Sequence, residues 1–138
     1  MKSSELRIGN WINFDNLIGG KVNGTDINGN YQVTPRFFRS SMQDEDYEIN
    51  AYHKPIPLTE EWLLKLGFVK TQDLGKNNVL QLEISQRLII SFADYDCNNL
   101  NLWQDGKRFS FKHGLIQYVH QLQNLYFALT GEELLIKP

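Results

Sequence analysis

The sequence predicts an α+β fold. A small N-terminal β part, expected to be SH3-like, precedes a short helix and a four-stranded antiparallel meander packed by a C-terminal helix. Three observations predict it. Gly and Asn turn signals crowd residues 1–33. Apolar residues alternate with the period of a strand through residues 79–112. Residues 115–130 carry an apolar stripe at helical spacing. The expected boundary leaves 1–57 as the β-rich part with an irregular acidic loop, and 58–138 as helix, meander and C-terminal helix, within one compact unit overall.

At the N-terminus, Leu6, Ile8, Ile12 and Phe14 occupy even positions, as a half-buried strand requires, and Asn10 interrupts the apolar face. Gly9 is expected at a bulge or a close backbone approach. Gly19-Gly20, Asn23-Gly24 and Asn28-Gly29 read as turns, because Gly and Asn tolerate positive φ. Short strands around Lys21 and Val22 and around Tyr31 and Val33 fill the gaps. The stretch 34–58 is irregular: Asp44, Glu45, Asp46 and Glu48 crowd together, and Pro55-Ile56-Pro57 is incompatible with a helix interior.

In LTEEWLLKLGF, Thr59 is the expected N-cap, and Glu60 and Glu61 lie at the positive end of the helix dipole. Gly67 supplies the left-handed stop, and Trp62, Leu63 and Leu66 form the apolar face. In the meander, parity sets the register. An odd loop, Ser85-Gln86-Arg87, pairs Ile84 with Leu88, Leu82 with Ile90 and Leu80 with Phe92. A second odd loop, Tyr95 to Asn99, sets Phe92 opposite Leu102. An Asp105-Gly106 hairpin pairs Leu102 with Phe109 and Leu100 with Phe111, and Trp103 with Arg108 on the other face. Leu82, Ile90, Leu102 and Phe109 should therefore share a face.

In the long helix, Leu115, Val119, Leu122, Tyr126 and Leu129 form the stripe expected to pack on the meander, and Gly131 ends it. The opposite side is uncharged: no Asp, Glu, Lys or Arg occurs from 114 to 131. Interface cores are depleted in charge, so Gln117, His120, Gln121 and Asn124 are the expected interaction surface, covered by the N-terminal part, a second copy or a partner protein.

The net charge of −2 supplies no footprint for gripping a phosphate backbone. A lone Cys97 excludes an intrachain disulfide framework. No targeting segment or membrane span is visible, since polar residues interrupt every apolar window, and a cytoplasmic location is the expectation.

Three strings, LRIGNWI (6–12), PIPLTEEWLLKLGF (55–68) and YVHQLQNLYFALTGEEL (118–134), resemble a family of small uncharacterised proteins of gut-type bacteria and their phages or prophages. The resemblance covers about a third of the chain. It implies a mobile-element context and carries over no catalytic residue.

No nucleophile elbow, zinc-protease motif, phosphate-binding loop or dinucleotide fingerprint occurs. His53, His113 and His120 are scattered, and Cys97 reads as a small loop residue. Asp94, Asp96 and Asp105 are the one set that could gather at a sheet end around Mg²⁺ or Ca²⁺, although turn formation explains each alone. No catalytic, cofactor or metal site is therefore expected. The best functional reading is a non-catalytic protein-interaction module with a protein partner or a second copy of itself. The alternative is a nucleic-acid-binding accessory protein, with Arg36, Arg39, Lys21 and Arg7 as its basic patch and RFFRSS (36–41) as its stacking segment.

Overall fold

A computed structural model of the chain describes residues 5–14, 30–33, 53–72 and 77–137. The turn signals at 19–20, 23–24 and 28–29, the acidic run and the 36–41 segment lie outside the described residues. The architecture is α+β with antiparallel sheets. The elements run β1 (Trp11–Phe14), β2 (Asn30–Gln32), β3 (His53–Pro55), α1 (Glu60–Lys65), β4 (Val69–Gln72), β5 (Asn78–Ser85), β6 (Leu88–Ala93), β7 (Leu100–Gln104), β8 (Lys107–Ser110) and α2 (Val119–Thr130). The chain divides into two compact units. One comprises residues 1–57 with 118–133, and the other 58–117 with 134–138.

The first unit holds a three-stranded sheet in the order β2-β1-β3. Pro55 stands in an edge strand, where a missing N–H is tolerated. Leu6, Ile12 and Val33 are buried together against Tyr31, but Ile8 is 52% exposed. The even-position pattern therefore does not describe one strand. Gly9, at φ +95°, turns the chain ahead of β1, and its N–H donates to Val33 O at 2.8 Å.

Helix α2 belongs to this unit and packs on β1. It starts at Val119 rather than at residue 115, and Leu115 is 49% exposed. Val119 and Leu122 are buried as the stripe requires, yet so are His120 and Gln123, while Leu129 is exposed. The buried face is rotated toward the polar residues. The reason is chemical: the start of β1 offers backbone groups that only a polar side chain can satisfy.

The second unit is a five-stranded antiparallel sheet, β4-β5-β6-β7-β8, with α1. The strand preceding the expected four is β4, which pairs with β5. Thr59 Oγ1 accepts from Trp62 N–H at 3.3 Å, capping α1. At the other end Phe68 N–H donates to Leu63 O at 3.0 Å and Gly67 N–H to Leu64 O at 3.1 Å, the Schellman pair. Phe68 and Leu63 are both buried, and the Phe68 ring lies 5.7 Å from that of Phe92. Residues 134–137 return to this helix, with Lys137 N–H donating to Lys65 O at 2.8 Å.

The register pairs Leu82 with Ile90, Ile90 with Leu102, and Leu102 with Phe109, so the four share a face as parity requires. Two details differ. Ser85, not Ile84, stands opposite Leu88, because a bulge between Glu83 and Ser85 absorbs the odd residue and leaves a two-residue turn. Phe92 pairs with Leu100 rather than Leu102, an even shift that preserves the face. Asp105 and Gly106, both at positive φ, close the β7–β8 hairpin. Phe109 is 51% exposed despite its register, because β8 is an edge strand with a neighbour on one side only.

Gly67 sits at φ +98°, where an L side chain is strained, and an added Cβ would also meet the Lys137 side chain. Gly67→Ala should cost about 1–2 kcal/mol in a urea melt, the order of the left-handed penalty. An unchanged midpoint would show that the Schellman turn does not limit stability.

Candidate interaction surfaces

The polar centre of the first unit is Gln123. Pairing between β1 and β3 reaches only to Ile12 opposite Pro55, which leaves the backbone just before it to other partners. The fully buried Gln123 side chain supplies them. Its Oε1 accepts from Trp11 N–H at 2.8 Å, and its Nε2 donates to Gly9 O at 3.1 Å. One amide thus satisfies a donor and an acceptor two residues apart, as a neighbouring strand would.

Arg7 ties the same helix to the same turn. Its Nε donates to Asn124 Oδ1 at 2.8 Å, its Nη1 to Glu133 Oε1 at 2.6 Å and its Nη2 to Gln123 O at 3.2 Å. The guanidinium lies 4.1 Å from the centroid of the Phe127 ring. Buried Asn10 accepts from Arg7 N–H at 2.7 Å and donates to Asn124 Oδ1 at 3.0 Å. Asn124 Nδ2 donates in turn to Glu5 O at 2.9 Å.

This network engages part of the expected surface. Of Gln117, His120, Gln121 and Asn124, two are committed to their own unit: His120 is fully buried and Asn124 is the junction of the Arg7 network. Gln121 Oε1 accepts from Tyr118 N–H at 3.1 Å, the returning half of a capping box. Only Gln117 is exposed. The uncharged side of α2 is covered in part, and by the N-terminal segment. What faces solvent instead is the last turn, where Phe127, Ala128 and Leu129 are all exposed.

His120 stacks on Tyr118, ring centroids 5.9 Å apart and planes 8° apart. Neither ring nitrogen has a hydrogen-bond partner among the described residues, and Nε2 lies 3.8 Å from Glu5 Oε2. Burial holds its pKa below the ordinary imidazole value, against a weaker opposing pull from Glu5.

In the second unit, Asp94 and Asp96 lie in the β6–β7 loop, and Asp105 lies in the hairpin at the other end of β7. The three aspartates are not brought together. Asp96 accepts from Asn98 N–H at 2.9 Å and faces His113 Nε2 at 3.5 Å. The Asn98 hydrogen bond, then His113, holds its carboxyl below the usual range. Burial, then Asp96 and Glu60, pushes the Cys97 thiol up, the opposite of an activated nucleophile. The expected Trp103–Arg108 pair is in register, but the Trp103 indole N–H is turned to Ser91 Oγ at 3.2 Å. Beside it the sheet face opens into a cleft of about 270 Å³, floored by Gln81, Ile89 and Trp103 and walled by the Gln86-Arg87 turn. Sequence reasoning missed this cleft, because it is assembled from strands that meet only in register.

Among the described residues, no helix is long and apolar enough to cross a membrane. No known family model matches the chain, and no curated protein or solved structure matches it.

Gln123→Leu keeps the volume of the side chain but removes the acceptor of Trp11 N–H and one of the two donors to Gly9 O, which keeps Gln32 Nε2 at 3.2 Å. A buried backbone group that loses its partner costs about 1–3 kcal/mol, detectable as a drop in urea midpoint. A loss under about 1 kcal/mol, less than one such group, would show that the clamp contributes little. For His120 the sign follows from its lowered folded-state pKa. Above the ordinary value of 6.5 the contribution is at its full level, and it falls as pH drops below 6.5, since the unfolded chain binds the proton first. His120→Phe keeps the stack and should narrow the difference in Tm between about pH 7.5 and pH 5.5. An unaltered difference would show that other groups carry the acid sensitivity.

Proposed function

We propose that the chain is a non-catalytic protein-interaction module that docks through the last turn of α2. The observation that carries this is the run Phe127, Ala128 and Leu129. All three are exposed, on a helix flanked by no charged residue from 114 to 131. A solvated helix end is ordinarily dressed with charges, whereas apolar groups without charge are what an interface core requires. Arg7 over the Phe127 ring gives the patch a cationic margin, a pairing enriched where proteins meet. The partner is a protein or a second copy of the chain, and the setting is the phage or prophage accessory role that the sequence strings resemble. A single cysteine fits a cytoplasmic place of work.

An SH3-like barrel for the N-terminal part belongs to the same proposal. A three-stranded antiparallel sheet is a portion of such a barrel, and it would serve as the scaffold that holds α2. The nucleic-acid alternative is weakened by Arg7, whose guanidinium is engaged by Glu133 and Asn124 rather than offered to a phosphate.

Leu129→Glu tests the reading. Leu129 is 37% exposed, so stability should change by no more than the surface norm of about 0.5 kcal/mol. Self-association in sedimentation, or capture of a partner from the native cell, should be lost in the variant. If the variant associates as the wild type does, the patch is not the docking surface.

A further inference from the structure

We infer that the Trp103 cleft of the second unit binds an uncharged saccharide ring. This goes beyond the protein-docking reading and does not depend on it, since the docking patch lies in the other unit. The cleft measures about 270 Å³, at the small end of ligand pockets, which suits one or two rings rather than a folded partner.

The lining decides the class. Among the described residues that line it the one charged group is Arg87, and Asp105 Oδ1 stands 3.7 Å from the Arg87 Nε, so the guanidinium already faces a carboxylate. A purely apolar guest would cover the Gln72, Gln81 and Gln86 amides without pairing them, which costs free energy. The lining suits a guest that is apolar on one face and rich in donors and acceptors at its rim.

Trp103 sets the geometry. Its indole N–H is held by Ser91 Oγ at 3.2 Å, which fixes the ring and leaves the π-face as the surface to offer. That face is the negative pole of the ring quadrupole and attracts polarised C–H groups, as on the flat side of a pyranose. Three amides line the cleft: Gln72 on β4, Gln81 on β5 and Gln86 at the β5–β6 turn. Each amide presents both donor and acceptor atoms, the complement of a hydroxyl that does both. Hydroxyls radiate around a sugar ring above and below its mean plane.

The test is an NMR titration of the three tryptophan indole N–H signals, with Trp103 assigned by Trp103→Phe. The probes are cellobiose, maltose and N,N′-diacetylchitobiose, each up to about 20 mM to cover weak millimolar binding. At least one saccharide should move the Trp103 signal saturably and leave those of Trp11 and Trp62 unmoved. Gln81→Leu and Gln86→Leu, both outside the buried core, should each weaken that binding about fivefold or more, as loss of a net hydrogen bond does. No saturable shift with any of the three overturns the inference. So does a shift unaffected by both Gln variants, or a shift produced by adenosine monophosphate or a proline-rich peptide but by no saccharide.

Discussion

At the head of β1 a backbone N–H and a backbone carbonyl turn to side chains, and Gln123 meets both, sharing the carbonyl with Gln32. Ladder pairing on the β3 side reaches Ile12 and stops, so Gly9 O and Trp11 N–H turn to the helix. The rest of the first unit follows from that requirement. The helix must rotate until residue 123 faces the sheet, which carries His120 inward with it and lifts Leu129 outward. Once a buried amide holds the helix, the neighbouring Asn124 falls within reach of Arg7 and Asn10, and Glu133 closes on the same guanidinium. The arrangement trades apolar area for direction, because an aliphatic face tolerates sliding and a two-point amide clamp does not.

The elements legible in the sequence are those fixed by local chemistry. Thr59, Gly67 and Phe68 determine both ends of α1 through caps that span only a few residues. Parity assigned the faces of β5 to β8 because each side chain alternates, whatever the length of the turn. The same argument could not locate the bulge, since an extra residue in the strand and an extra residue in the loop leave identical parity. The buried face of α2 was not legible for another reason. Hydrophobic periodicity ranks residues by apolarity, and it has no means of scoring a glutamine that is buried because it replaces a strand partner. Of the expected interaction surface, the absence of charge was legible, and cover by the N-terminal segment, one of the three expected covers, accounts for part of it.

The three strings singled out in the sequence take part in the same contacts. Arg7 and Asn10 lie in LRIGNWI, and Gln123, Asn124 and Glu133 lie in YVHQLQNLYFALTGEEL. More than a hundred residues apart in sequence, they meet in one network. PIPLTEEWLLKLGF carries the bridge at Pro57 to Tyr118 and the caps of α1. Such positions define how the chain folds, and surfaces used for recognition are free to differ around them.

The division of the chain has a consequence for the order in which the protein is made. Residues 58–117 are nested inside the first unit, whose helix is not synthesised until after them. On the ribosome the N-terminal strands must therefore wait, with Gly9 O and Trp11 N–H unpaired by Gln123, while the hairpins of the later segment already have their partners. Neighbouring strands close short loops, and short loops close fast. An antiparallel bridge, Pro57 to Tyr118, joins the two ends of the inserted segment, so that once that segment is folded the first unit has only a local closure left to make.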